Sequence, residues 1–447
     1  MTIPGQATPS VLVLGAGIAG IQAALDLADA GVSVTLAEKE DSIGGRMAQT
    51  DKTFPTLDCS SCTLTPKTAD AGNHPLIRLI TRCRLARASF GGGRWQVELA
   101  TNPRYVDLET CVACGRCSEV CRMKDRVEKA FDLNLARGSA IGVPFPQAVP
   151  MGYAVDASKC LMVTRGKCGD KPRCVEACDV GAISFEGKPI RENLAFDAII
   201  VATGYDLYDP AAKVNGRPEL GFGRYPEVIT NLQFERLSSA SGPTGGKLMA
   251  GGRTPRSALF IQCVGSRDVN TGAAYCSRVC CMASLKQALL ATEKVPDLAA
   301  TILYMDIRAF GKGYEEFMER VQRSGVLLRR GSPSEVYRKG EGLAVRFEDT
   351  LLGKTFELET ELVVLAAGLR PRPEYAALAG LLDLTLGADG FFGTPGAFDS
   401  CATASPGVFI AGTAGGPMDI PDAVASGSAA AGAALAHIIG RTRGVAV

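Results

Sequence analysis

Sixteen cysteines fall in a chain of 447 residues, and their spacing is its strongest chemical signal. Cys111, Cys114, Cys117 and Cys121 are spaced C-x2-C-x2-C-x3-C. Three thiolates on so tight a loop can cap three irons of one cubane, and Gly115 relieves the loop backbone. In this bacterial-ferredoxin run the fourth cysteine ligates the other cluster. A tetrahedral ion would be overcrowded by such a spacing. Arg122 stands where the run usually has proline. A second, irregular run follows at Cys160, Cys168, Cys174 and Cys178. We therefore expect one [4Fe–4S] cluster on Cys111, Cys114, Cys117 and Cys178, and another on Cys121, Cys160, Cys168 and Cys174.

A third group, Cys263, Cys276, Cys280 and Cys281, lies after the apolar strand ALFIQCVG. A third cluster is one reading, and a vicinal pair beside buried thiols is the other. The pair Cys59 and Cys62 leaves three readings open: a redox dithiol, auxiliary cluster ligands, or buried inert thiols. Cys83 and Cys401 have no patterned partners and read as core, and His74 reads as a surface residue in a turn. With two histidines in the chain, a histidine-rich zinc site is not expected.

These groups need a scaffold, and the N-terminal segment supplies its pattern. VLVL reads as a buried parallel strand, GAGIAG as a turn, IQAALDLADAG as a helix and VSVTLAE as a second strand. That is the context of the dinucleotide fingerprint. Gly15 permits the tight turn, Gly17 admits the pyrophosphate, and Gly20 brings helix and sheet together. The helix N-terminus offers free N–H groups to phosphate. Glu38, followed by Lys39, is placed to bond the ribose hydroxyls and would repel a 2'-phosphate.

Charge and composition exclude some classes. Forty-eight Lys+Arg balance 47 Asp+Glu, which argues against a dedicated nucleic-acid binder. No targeting segment and no spanning helix are expected, and the small-residue run Ala423–Ile438 reads as a tightly packed helix. So many unpaired cysteines suit a reducing, cytoplasmic setting.

KEDSIGGRM, with Gly45 and Arg46, resembles the second glycine pair of flavoproteins with two dinucleotide-binding domains, the glutathione-reductase-like superfamily. DAIIVATG, ending at Thr203 and Gly204, and ELVVLAAG resemble that superfamily's return strands. PGVFIAGTAGG, with Gly412 and Thr413, and the helix start near Ile420 resemble its last flavin-binding segment, though Thr413 replaces the usual acidic residue. The second GxGxxG is absent, its place taken by the third cysteine group.

PTLDCSSCTLTPK, GVPFPQAVP, FIQCVGSRD…YCSRVCCM, DIRAFGKGYEEF and GGPMDIPDAVASGSAAA together resemble the flavin-containing A subunit of heterodisulfide reductases. The resemblance implies an α/β, thioredoxin-reductase-like body holding FAD. It also implies an inserted two-cluster ferredoxin domain and a third [4Fe–4S] cluster at Cys263, Cys276, Cys280 and Cys281. It places Lys67, with Cys59 and Cys62, near the flavin, and it implies a homodimer with further subunits. The chain is most similar to the short form in the heterodisulfide-reductase-like complexes of sulfur oxidisers.

The expected domains are 8–103, first part of the FAD domain; 104–190, ferredoxin insert; 191–250, return strand and linker; 251–368, second nucleotide-like domain; and 369–447, last part of the FAD domain. The expected function is electron relay between FAD, clusters and partner subunits in sulfur or disulfide metabolism. The alternatives are an autonomous NAD(P)H-dependent flavoenzyme and an assembly protein whose clusters are structural.

Overall fold

The computed structural model describes residues 8–214, 217–396 and 399–443. Strand β1 (Ser10–Leu14) leads through helix α1 (Ile18–Asp29) to β2 (Ser33–Ala37), and helix α2 (Ser60–Asn73) leads to β3 (Ile77–Ile80). Val11, Leu12 and Val13 are fully buried, as a strand covered on both faces demands. An antiparallel ribbon follows: β4 (Cys83–Gly91), β5 (Arg94–Thr101) and, after the cysteine-rich insert, β6 (Ile190–Phe196). The chain then returns to the first sheet as β7 (Ala198–Val201).

The insert has little regular structure. It holds two two-stranded ribbons and short helices at Arg116–Glu119, Leu161–Arg165 and Arg173–Glu176. Its small core is Val106, Ile141, Val155, Ala182 and Ile183, with the cysteines packed around it.

The second unit begins at β8 (Val228–Thr230) and helix α3 (Asn231–Ser238), whose start is fixed by a capping box between Thr230 and Gln233. It continues through β9 (Ser257–Val264), α4 (Cys280–Lys294), β10 (Ala299–Tyr304) and α5 (Tyr314–Arg323). The strands β11 (Leu327–Lys339), β12 (Gly342–Asp349), β13 (Lys354–Thr360) and β14 (Leu362–Ala367) complete a sheet ordered β8-β14-β9-β10-β11-β12-β13. The chain then passes back through β15 (Val408–Ile410) and helix α6 (Ile420–Arg443), closing the first sheet in the order β15-β7-β1-β2-β3.

One expectation changes. The segment 191–250 is not all return strand and linker, because β8 pairs with β14 and so belongs to the second sheet. The two connections between the units are themselves paired, Asp206–Leu207 against Leu369–Arg370. Helix α6 buries Ala430, Ala431 and Ala434 in the first core, and a Cβ on Gly427 would fall 2.4 Å from the Ala19 carbonyl oxygen of α1. It is also long and apolar enough to count as a candidate membrane span by length and composition alone, a test that a buried core helix passes too, and its packing in the first core is that of the tightly packed helix expected.

Candidate functional site

The parallel sheet ends in a cavity of about 960 Å³ whose wall draws on all three parts of the chain. Gly15, Gly17, Glu38, Lys39, Gly45, Arg46, Thr203, Gly204, Thr413 and Ile420 all line it. The insert contributes Phe131 and Phe145, and the second unit contributes Asn231, Glu235, Val279 and Lys286.

The fingerprint glycines divide by task. Gly15 has φ +96°, and a Cβ there would sit 2.5 Å from the Ala202 carbonyl oxygen. A Cβ on Gly20 would sit 1.9 Å from the Gly15 carbonyl oxygen, so this residue packs helix on turn and does not line the cavity. Gly17 meets nothing within 4 Å, leaving its face open to a ligand. Gly412, at φ +62°, likewise packs behind the cavity, against Ala19.

Glu38 is 7% exposed, and its carboxylate accepts from the amides of Ala16 at 2.8 Å and Glu40 at 3.0 Å. Burial is the largest influence on it and raises its pKa. Its two oxygens retain acceptor capacity for hydroxyls after those bonds. Arg46 bonds Asp206 and Gln49, each at 3.0 Å, while its Nε and the Nε of Arg372 are buried without hydrogen-bond partners. Unpartnered buried donors beside an open glycine face fit an anionic dinucleotide. Such a group would be held at its phosphates by the α1 N-terminus and at its ribose by Glu38.

Lys67 departs from its expected place. It does not line the cavity, and its ammonium instead donates to Gln22 of α1 at 2.6 Å. The α2 helix turns that side chain toward α1. Cys59 and Cys62 are joined as a disulfide, and neither lines the cavity. Cys62 is exposed and Cys59 partly so, which removes the reading of buried inert thiols.

In the insert, Cys121, Cys160, Cys168 and Cys174 line one pocket with Met123, Leu161 and Phe185. Cys111, Cys114 and Cys117 flank Gly115, whose φ of +88° starts the short helix at Arg116. Cys178 accepts from the Ala182 amide at 3.3 Å. Burial pushes the Cys117 thiol up to about 12 and Cys174 to about 11, with neighbouring thiols adding to it. Arg116 lowers the exposed Cys114 through its backbone amide first and then its side chain. Thiols so raised stay protonated until a metal displaces the proton, so loading releases protons. Among the described residues no group of three or more His, Cys, Asp or Glu is arranged to hold a single metal ion.

The third cysteine group occupies the β9–α4 crossover. Cys263 adopts φ +61° at a register shift in β9, and Cys280 and Cys281 open α4. Cys276 accepts from the Arg278 amide at 3.3 Å. Burial raises Cys263 to about 11 and Cys280 well above its ordinary value. Val279 and Ala283, which flank the adjacent cysteines, line the same large cavity. The cysteine group and the cavity thus share one helix end, whose positive dipole favours anionic neighbours.

Two further features have no counterpart in the sequence pattern. Lys286 and Glu235 form a buried pair at 2.7 Å on the cavity wall, joined by Gln287, which donates to Glu235 at 2.6 Å. Phe131 stacks on Phe145 at 4.8 Å where the insert meets the cavity. Both depend on contacts that local spacing does not encode.

Residues 13–74 match the NAD(P)-binding Rossmann-like domain. The chain is 47% identical over 430 residues to the iron-sulfur A subunit of the CoB–CoM heterodisulfide reductase of Methanocaldococcus jannaschii, covering 95% of this chain and 63% of that protein. It is a homologue of the heterodisulfide reductase A subunits. The A subunit of the H(2):CoB-CoM heterodisulfide,ferredoxin reductase of Methanothermobacter marburgensis is 46% identical over 433 residues, or 96% of this chain and 64% of the relative. The chain therefore spans a little under two thirds of the length of these relatives. Lactococcus lactis thioredoxin reductase shares the fold at TM-score 0.52 and 14% identity, covering 97% of this chain and 99% of that one. The thioredoxin reductase of T. acidophilum matches at TM-score 0.52 and 15% identity, over 96% and 98%. The fold is thus that of thioredoxin-reductase-like flavoproteins, and these homologues and structural neighbours are oxidoreductases.

Proposed function

We propose that the chain is an electron-transfer subunit with oxidoreductase chemistry, holding FAD in the large cavity and three [4Fe–4S] clusters on its twelve grouped cysteines. One observation carries this reading. A single cavity is walled by the glycine turn, by the insert and by the helix end that carries Cys280 and Cys281. A two-electron carrier there would stand between one-electron centres. Gly15 makes the tight turn, Gly17 leaves room for the pyrophosphate, Glu38 takes the ribose, and Arg46 supplies positive charge beside it. When bound, the flavin supplies two-electron chemistry that can be released in single steps.

The clusters are assigned as Cys111, Cys114, Cys117 and Cys178; Cys121, Cys160, Cys168 and Cys174; and Cys263, Cys276, Cys280 and Cys281. The shared pocket of the second set supports that division. The relatives are named as subunits of heterodisulfide reductases, which supports work with partner subunits on sulfur or disulfide redox chemistry; a homodimer is part of the proposal on the family resemblance alone.

Anaerobically purified protein is expected to hold one FAD and about twelve irons with matching acid-labile sulfide. Its clusters are expected to reduce and reoxidise reversibly by EPR. Zinc, absent metal or an empty dinucleotide cavity would overturn the relay. Rapid bleaching of the flavin by NADH alone would favour the autonomous enzyme instead.

A further inference from the structure

We propose that Tyr314 of the second unit is a positioning residue for the flavin: its phenol occupies one oxygen of the Asp419 carboxylate and so sets the charge that the first turn of α6 presents to the large cavity. The inference rests on the proposed function and adds to it a determinant of the flavin's potential. Met418, Asp419, Ile420 and Ala423 line that cavity where α6 begins. Asp419 caps the helix: its Oδ1 accepts from the Asp422 amide at 2.9 Å, and its carbonyl accepts from the Ala423 amide at 2.9 Å. Its Oδ2 is left for a partner from elsewhere, and the Tyr314 hydroxyl donates to it.

The surroundings hold the phenol in place. Tyr314 opens α5 after Gly313, at φ +78°, and is 6% exposed. A Cβ on Gly311 would strike its ring, and Phe54, which lines the cavity, meets it edge-on with ring centroids 5.5 Å apart. Burial raises the phenol's pKa above its ordinary value of 10, and the Asp419 carboxylate raises it further, so the proton stays on Tyr314. The other acidic side chain of the turn, Asp422, does not line the cavity and has its own partner from the second unit, Arg278 at 3.2 Å. Arg278 also donates to the Pro417 carbonyl at 3.3 Å. Asp419 is therefore the carboxylate of this turn that lines the cavity, and the Tyr314 hydroxyl is what compensates it.

Reducing the flavin adds electron density to the cavity. The positive end of α6 favours the reduced form, and an uncompensated carboxylate at that end opposes it. The Tyr314 hydroxyl weakens that opposition while Asp419 keeps its cap. Two substitutions therefore act in opposite directions. Tyr314→Phe keeps the ring and bares Oδ2, which disfavours the reduced flavin. Asp419→Asn keeps a good cap and removes the charge, which favours it. A purely structural contact would not change sign between the two.

The test uses the full chain, anaerobic and with its clusters, titrated against reference dyes of known potential. At a fixed potential, Tyr314→Phe is expected to lower the ratio of reduced to oxidised flavin about tenfold, a midpoint shift of about 30 mV for a two-electron couple. Asp419→Asn is expected to raise that ratio by a similar factor. Adding Tyr314→Phe to Asp419→Asn is expected to change it by less than about twofold, because the phenol acts through the charge. Iron content and cluster EPR are expected to match the parent throughout. Shifts of the same sign, no shift in either single variant, or an undiminished tenfold effect in the double variant overturns the proposal. Where Tyr314→Phe folds poorly, Asp419→Asn alone decides, since an unchanged or lowered ratio there overturns the proposal. Parent protein without FAD would overturn the proposed function itself, whereas a flavin-loaded parent with unmoved variants overturns this inference alone.

Discussion

Arg236 of α3 and Asp132 of the insert form a buried ion pair at 3.0 Å, with side chains 1% and 9% exposed. The guanidinium also lies 4.9 Å from the centroid of Phe131, an aromatic residue that lines the cavity. Its Nη2 donates to the Ser241 carbonyl at 3.2 Å. One side chain thus fastens the cysteine-rich insert to the second unit across the rim of the cavity. Arg236→Ala leaves a buried carboxylate unpaired, which costs about 3–5 kcal/mol. Denaturant unfolding is expected to shift by that amount, and limited proteolysis is expected to cut first in the insert. An unchanged midpoint would mean that the pair is not a fastening.

Gly17 and Gly20 separate binding from folding. Gly17→Ala meets no protein atom within 4 Å, so the flavin-free protein is expected to keep its melting temperature. Its flavin affinity is expected to fall at least about tenfold, since the methyl group occupies the ligand's space. Gly20→Ala drives its methyl group into the Gly15 carbonyl oxygen and is expected to lower the melting temperature with or without flavin. Flavin-to-protein ratio and calorimetry on both variants check the division. Two variants with the same profile would contradict it.

This pair also marks what is legible in the sequence. Gly15, Gly17, Gly20 and Glu38 lie within one strand–turn–helix–strand unit, where spacing alone fixes geometry. The division of the irregular cysteines is an expectation drawn from the ferredoxin pattern, and the fold brings Cys121, Cys160, Cys168 and Cys174 to one pocket. Lys67 lies away from the cavity because α2 turns that side chain to Gln22, a choice made by helix packing. The second unit starts before residue 250 because β8 finds its partner β14 more than a hundred residues later. The Lys286–Glu235 pair is invisible to spacing for the same reason, its members standing on helices that meet only in the fold.

Cys168 tests the second cluster set. It sits in the pocket with Cys121, Cys160 and Cys174, next to Arg122 and Arg173. Cys168→Ala is expected to remove about four irons while leaving flavin content and the other cluster signals in place. Cys401→Ala, far from any cysteine group in sequence, is expected to keep all the iron. Iron analysis with EPR reads both. Full iron in Cys168→Ala would require a different ligand at that corner.

Asp51 carries the pH prediction. Its carboxylate is 12% exposed, its Oδ2 has no hydrogen-bond partner, and it pairs with Lys294 only at 3.9 Å. Burial raises its pKa above the ordinary 3.8, Lys294 opposes that, and Glu235 adds to it. A raised carboxylate pKa means that the folded state binds the proton more tightly than the unfolded state. The charged form therefore costs stability at every pH above the folded pKa, and the cost fades as pH falls toward 3.8. Asp51→Asn removes that cost and keeps the backbone amide that donates to Glu235 at 2.9 Å. The variant is expected to melt above the parent at about pH 7, with the two curves converging as pH falls below the ordinary carboxylate range. Only the difference between parent and variant is read, because Glu38 is raised by burial as well and titrates in the same direction. A variant that melts below the parent at neutral pH would show that Asp51 is held as a stabilising anion by Lys294.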